Sequence, residues 1–189
     1  MITRICVYCG SSPGGDAAYA RAAEELADAL VGNNIELVYG GAHKGIMGTL
    51  ADAVLAQGGK VQGVIPKMLE EKEIAHTGLT ELHVVTSMHE RKSMMAALSD
   101  GFIALPGGFG TLEELIEILT WGQLRFHDKP CGVLNVNGYF DQLLAFLDHM
   151  QAEKFLKPEN RSMLLADSTP TGLLSQFECY QPPGRDKWL

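Results

Sequence analysis

Apolar and polar positions follow two rhythms that alternate along this chain. Short apolar runs at Arg4–Tyr8, Ile35–Tyr39, Lys60–Ile65, Leu82–Thr86, Phe102–Leu105, Cys131–Val136 and Met163–Ala166 are predicted strands. Between them, apolar residues recur every three or four positions. Asp16–Val31 carries Tyr19, Ala22, Ala23, Leu26 and Leu30, and the next segment carries Ile46, Met47, Leu50, Ala51 and Val54 up to Gly58-Gly59. Met88–Leu98, Thr111 to about Leu124, and Tyr139–Met150 repeat the pattern, and all of these are predicted helices. Ser168 or Thr169 before Pro170 marks one more helix start. Lys67–Thr80, with Glu70, Glu71, Lys72, Glu73 and Gly78, keeps neither rhythm and reads as a surface excursion, and 153–162 reads as a charged loop.

Strands alternating with helices at this pace imply an α/β chain, a Rossmann-like parallel β-sheet with helices on both faces. No repeat or linker interrupts it. Residues 1–181 therefore read as one Rossmann-like nucleotide-binding domain and 182–189, opening Pro182-Pro183-Gly184, as a C-terminal tail. A net charge of −8 argues against a nucleic-acid partner, which would call for a basic surface, yet permits a small anion in a locally positive pocket. No cleavable leader is visible after Met1, and no apolar run reaches the ~18 residues that span a bilayer. Four cysteines make no disulfide framework, so a cytoplasmic location without membrane contact is expected.

In open α/β sheets ligands gather off the carboxyl ends of the strands. Three small-residue turns fall there: Gly10-Ser11-Ser12, Gly40-Gly41 with His43 and Gly45, and Gly107-Gly108-Phe109-Gly110. The last joins an apolar strand to a helix whose first turn, opened by Thr111, is expected to be acidic. Glycine lets backbone approach a ligand, and a helix N-terminus presents free N–H groups to an anion. None of the turns is a G-x-G-x-x-G or Walker A loop, so a mononucleotide or sugar phosphate fits better than a dinucleotide. Each turn could also serve chain geometry alone.

Two charged residues stand out. Met88, Arg91, Met95 and Leu98 share one helical stripe, otherwise apolar, so Arg91 should face the core and need an anion, either an internal carboxylate or a ligand. Lys92 beside it reads as a surface lysine. On the following helix Glu113, Glu117 and Thr120 lie to one side, while Glu114 heads the stripe Glu114, Ile118, Trp121. Glu113 and Glu114 could simply complement the helix dipole, but a carboxylate heading an apolar stripe is also where catalysis would place one. Cys6-x-x-Cys9 has no second ligand pair and reads as small residues at a strand end, with no metal.

Taken together, Leu105-Pro-Gly-Gly-Phe-Gly-Thr-Leu-Glu-Glu114, Cys9-Gly-Ser-Ser12, Gly40-Gly-x-x-x-Gly-x-Met-Gly48, Gly63-Val-Ile-Pro66, Met88-His-Glu-Arg-Lys92, Ser99-Asp100 and Asp128-Lys-Pro130 resemble the Lonely Guy (LOG) family over nearly the whole chain. These are cytokinin-activating phosphoribohydrolases, long mislabelled lysine decarboxylases. The resemblance implies cofactor-free hydrolysis of the N-glycosidic bond of an adenosine 5′-monophosphate or its N6-modified form, giving free base and ribose 5-phosphate. It implies Arg91 and Glu114 as the catalytic pair. It implies nucleotide contacts at Glu73, Lys92, Gly108 through Glu114 (including Phe109, Gly110, Thr111, Leu112 and Glu113) and Thr120, and a homodimer with sites near the subunit interface. Met88, Gly10, Ser11, Gly40, Gly41 and Gly107 complete the candidate substrate site. Ala42-His43 departs from the Gly-Ser found in many members. Two other readings remain open: a general AMP or pyrimidine nucleotide nucleosidase, and a nucleotide or cofactor carrier resembling the molybdenum-cofactor carriers.

Overall fold

Most of the short apolar runs are buried on both sides, and the sheet they build carries helices on both faces. The computed structural model describes residues 2–70 and 75–184. Strands β1 (Arg4–Tyr8), β2 (Glu36–Tyr39), β3 (Val61–Pro66), β4 (Glu81–Val85), β5 (Gly101–Ala104), β6 (Cys131–Leu134) and β7 (Leu164–Asp167) form one sheet in the order β4-β3-β2-β1-β5-β6-β7. Every neighbouring pair is parallel. Successive side chains alternate faces. Ile5, Val7, Leu37, Tyr39 and Ile103 pack under α1 (Ala17–Gly32), α2 (Gly45–Ala56) and α8 (Pro170–Glu178). Cys6, Tyr8, Val38, Phe102 and Ala104 pack under α4 (Met88–Leu98), α5 (Phe109–Gln123) and α6 (Asp141–Ala152).

Several expected boundaries move. The excursion after β3 begins with one helical turn, α3 (Lys67–Glu70), and the charged loop holds another, α7 (Pro158–Arg161), opened by a proline in the first turn where no N–H is needed. The sixth strand stops at Leu134, because Val136–Gly138 winds into a 3-10 turn with Asn137 left-handed (φ 51°), and α6 begins at Asp141 rather than Tyr139. The helix after the glycine turn begins at Phe109, two residues before Thr111. Its first turn holds no acid, which corrects the expected acidic start, and Glu113 and Glu114 fall in the second turn. Glycines 108 and 110 meet no neighbouring atom where a side chain would stand, so an apparent loop coils directly into the helix.

The chain order reverses at β1, with β2 on one side and β5 on the other, which is where open α/β sheets leave a crevice. This joint is fastened at both ends. At the amino end the Asp100 carboxylate accepts from Thr3 N (2.8 Å), Thr3 Oγ1 (2.8 Å) and Arg4 N (3.0 Å). At the carboxyl end Leu105 N donates to Tyr8 O (2.9 Å) and Gly10 N to Pro106 O (3.2 Å).

Partial burial pushes the Asp100 carboxyl up, but the three donated hydrogen bonds outweigh it and hold the pKa below the ordinary 3.8. The folded state therefore prefers the ionised form. Its stabilisation is complete above the unfolded pKa and is lost as pH falls through the folded one. Asp100→Ala should lower unfolding free energy by about 1.5 kcal/mol at pH 7, and the gap from wild type should close as urea titrations move below the native Asp100 pKa. A gap that is the same at pH 7 and pH 2.5 would refute this role.

Candidate active site

At the switch point two backbone turns meet with no side chain between them. A Cβ on Gly107 would stand 2.8 Å from Gly10 N and 2.1 Å from Thr111 Oγ1, so only glycine fits. Helix α5 then starts with Gly108 as a cap that offers no side chain, and its first internal bond runs from Leu112 N to Gly108 O (3.2 Å). The N–H groups ahead of Leu112 are left for a ligand, at the positive end of a fifteen-residue helix. Beside them lies a cavity of about 220 Å³ lined by Gly10–Gly14, Tyr19, Ile46, Pro106–Gly108 and Tyr139.

Under the same edge, on the α4–α5 face, lies a buried charge pair. Ser87 caps α4 by accepting from Glu90 N (3.1 Å), while the Glu90 carboxylate accepts from Thr86 N (2.8 Å) and Thr86 Oγ1 (2.7 Å). This fixes the helix start and turns Arg91 inward, 7% exposed. Arg91 Nε donates to Val64 O (3.1 Å) and Nη2 to Gly40 O (3.5 Å), and Nη1 lies 3.5 Å from Glu114 Oε1. A Cβ on Gly40 would stand 2.0 Å from Nη2, so the glycine there is what admits the guanidinium to the strand end.

Glu114 is 5% exposed, and its Oε1 has no hydrogen-bond partner. Burial pushes its carboxyl above the ordinary 4.5. Arg91 opposes that shift, and the neighbouring charge of Glu113 adds to it. Such a carboxyl holds its proton more readily than a surface glutamate, and its Oε1 meets the Arg91 guanidinium as an ion pair without a hydrogen bond. It is equipped to orient or deprotonate water, or to face a developing positive charge.

Lys92 is not the surface lysine expected. Its Nζ binds Glu113 Oε1 and Glu117 Oε1 (3.0 Å for the latter), with its side chain 15% exposed. Against burial, which favours its neutral form, those two hydrogen bonds hold its pKa above 10.5. Met88 sits at the α4 start with its Sδ 3.9 Å from Arg91 Nη1. Gly41 is left-handed (φ 76°) and its carbonyl accepts from His76 N (2.9 Å). Ser11 is exposed beside Gly10, and Phe109 projects into solvent, 94% exposed. Thr111 is buried against Gly107, and Leu112 packs into the α4–α5–α6 core.

The fold does not bring everything together. Thr120 is on the far side of α5, donating to Ile116 O (2.7 Å) and lining an apolar groove of about 380 Å³ against α6, away from Arg91 and Glu114. His43 lines a different cavity, with Asp52, Glu70 and His76. Cys6 and Cys9 point to opposite faces of the sheet, and among the described residues no group of three or more His, Cys, Asp or Glu could hold a metal. Glu73 lies outside the described residues. Sequence reasoning missed Tyr139, whose hydroxyl donates to Gly107 O (2.6 Å); the Asn137-Gly138 turn just before it was the available signal.

A parallel sheet with a glycine cradle at its switch point, and a buried arginine–carboxylate pair beneath that cradle, defines a nucleotide-site protein of the Rossmann-like class. A family profile described as "Possible lysine decarboxylase" matches residues 47–177. The chain is 51% identical, over 97% of its length and 74% of the relative's, to a "Probable cytokinin riboside 5'-monophosphate phosphoribohydrolase" of Oryza sativa subsp. japonica. It is 49% identical, over 95% of its length and 84% of the relative's, to a cytokinin riboside 5'-monophosphate phosphoribohydrolase of Arabidopsis thaliana. The chain belongs to the LOG family of cytokinin riboside 5′-monophosphate phosphoribohydrolases. Among solved structures, the molybdenum cofactor binding protein of Rippkaea orientalis superposes with a TM-score of 0.71 at 19% identity, covering 95% of this chain and 97% of that one. The molybdenum cofactor carrier protein of Chlamydomonas reinhardtii gives 0.72 at 18%, covering 95% and 100%. These two likenesses concern the fold.

The geometry sets the order of the Glu114 titration. In carbon-13 NMR of glutamate-labelled protein, wild-type Glu114 should titrate above 4.5. Arg91→Leu should move the midpoint up, and Glu113→Gln should move it down. An Arg91→Leu midpoint at or below the wild-type value would show that the two groups do not interact.

Proposed function

We propose that this chain hydrolyses the N-glycosidic bond of an adenosine 5′-monophosphate, plain or N6-modified, releasing the free base and ribose 5-phosphate. The observation that carries the reading is the buried Glu114 carboxylate, ion-paired to Arg91 at 3.5 Å but not hydrogen-bonded through Oε1, about one helical turn from the start of α5. The 5′-phosphate would sit on the Gly107–Thr111 turn and its N–H groups. The ribose would then lie over Glu114. Cleavage of the glycosidic bond develops positive charge on the sugar, which an adjacent carboxylate stabilises while it orients the attacking water. Arg91 is tied to Val64 O and Gly40 O and so fixed in place; it would hold Glu114 and keep its charge compatible with an incoming dianion. Lys92, Glu113 and Glu117 form a rigid rim along the same helix pair. A carrier needs a phosphate cradle but has no use for a carboxylate against the sugar, so Glu114 favours the hydrolase over that alternative.

Wild-type protein should release adenine from AMP and the modified base from isopentenyl-AMP, with CMP as the comparison, followed by chromatography of the free base. Glu114→Gln should cut turnover by on the order of 10²–10⁴-fold while AMP still binds in calorimetry. Near-normal base release by Glu114→Gln would remove Glu114 from the chemistry, and no release from any of the three nucleotides would favour the carrier reading.

We further read the working form as a homodimer in the cytoplasm. Among the described residues no helix is long and apolar enough to cross a membrane. The α5–α6 groove exposes Ile116 (42%) and Phe146 (59%), and it is continuous with Thr120, which cannot reach the Glu114 site of its own chain. A second copy seated there would cover the apolar face. Light scattering should give the mass of two chains, and Ile116→Glu with Phe146→Glu should give one. A double variant that stays dimeric would place the interface elsewhere.

A further inference from the structure

A loop that holds a phosphate through N–H groups must also keep its carbonyl oxygens off it. Two carbonyls of the turn after β5 are held by neighbouring donors, those of Pro106 and Gly107. The first is taken by Gly10 N–H at 3.2 Å, and the second by the phenolic hydroxyl of Tyr139 at 2.6 Å. We propose that Tyr139 is a positioning residue of the phosphate site: by binding the Gly107 carbonyl it turns that oxygen out of the cradle and leaves the N–H groups of the α5 start facing the anion. This rests on the reading above that the turn receives a 5′-phosphate.

The surroundings of Tyr139 are built to hold that hydroxyl in place. The chain reaches it through Asn137 and Gly138, both left-handed (φ 51° and 69°), a conformation that asparagine and glycine tolerate and most residues do not. The Asn135 side chain closes the turn, accepting from Phe140 N (2.8 Å) and donating to Asp141 Oδ1 (2.7 Å). Asn137 Nδ2 donates to Asp16 Oδ2 (3.3 Å), and the same carboxylate caps α1 by accepting from Ala18 N (2.8 Å). From α1, the Tyr19 ring meets the Tyr139 ring edge to face, with centroids 5.7 Å apart and planes at 78°. Tyr19 also packs under Gly14, where a Cβ would stand 2.6 Å from its ring. The two tyrosines thus flank the 220 Å³ cavity, one against each glycine turn. The pairing is a hydroxyl on a carbonyl, so it acts on the loop and not on the reacting atoms.

Tyr139→Phe keeps the ring and removes only the donor. The Gly107 carbonyl would then be free to rotate toward the cradle and repel a phosphate. The expected result is a rise of about fivefold in the KM for AMP and in the Kd for ribose 5-phosphate. Turnover at saturation should fall by less than about twofold, because Glu114 is untouched. Binding of adenosine, which has no phosphate, should not change. A purely structural tyrosine would weaken adenosine and ribose 5-phosphate alike, or lower turnover alone. Either pattern overturns the proposal, as does wild-type affinity for ribose 5-phosphate in the variant. Wild-type protein that binds ribose 5-phosphate but releases no base overturns the hydrolase reading instead, and the calorimetric comparison still decides Tyr139. Wild-type protein that binds neither ribose 5-phosphate nor AMP overturns both.

Discussion

The site depends on one buried guanidinium. Arg91 loses nearly all its water, and its compensation is two backbone carbonyls and a single carboxylate 3.5 Å away. Taking two charges out of water costs several kcal/mol each, and mutual attraction returns this only when hydrogen bonding is complete. Here it is incomplete, since Arg91 Nη1 meets Glu114 Oε1 at 3.5 Å without a hydrogen bond. A core selected for stability alone would fill this place with leucine or methionine. The pair therefore marks where the fold gives up stability, and the rest of the carboxyl edge is arranged around it. Gly40 has no side chain so that the guanidinium can lie against β2, and the Thr86–Ser87–Glu90 cap fixes the helix that delivers it.

The same constraint separates the two halves of the proposed reaction. A phosphate and a carboxylate repel, and both would lie near the start of α5. The surroundings of the two positions differ. The glycine cradle opens toward α1 and α2, and Glu114, on α5, faces Arg91 of α4. Lys92 is held by two glutamates of its own helix pair, so it leaves little free positive charge on the rim. What favours an anion at the cradle is then mainly backbone: free N–H groups and the helix dipole, which need no counter-ion when the site is empty.

Much of this was legible in the sequence because it depends on period. Seven apolar runs gave seven parallel strands. The stripe Met88–Arg91–Met95–Leu98 placed Arg91 inside, and the stripe through Glu114 and Ile118 placed its partner. The errors have physical sources too. Gly110 read as loop, yet it lies in the first turn of α5, with Gly108 as the extended cap before it. Lys92 read as a surface residue because its two carboxylate partners belong to a different helix, which one-dimensional spacing cannot show. Thr120 is a different case: it came with the family resemblance, and the same periodicity that separates it from Glu114, six residues earlier, sets it on the α5–α6 groove.

Tyr139 belongs to a further class, in which the residue pattern shows a turn but not its purpose. Asn137-Gly138 announces left-handed backbone in any fold. Only the sheet order, which sets β6 beside β5, brings the turn after β6 onto the carbonyl that follows β5. The contact spans 32 residues and ends on a backbone atom, so no side-chain pairing records it in the sequence. Parallel sheets make such contacts regular features, because every strand delivers its outgoing loop to the same edge, where each loop can restrain its neighbour. The chemistry at that edge then rests as much on how adjacent loops orient each other's carbonyls as on the charged residues that periodicity exposes.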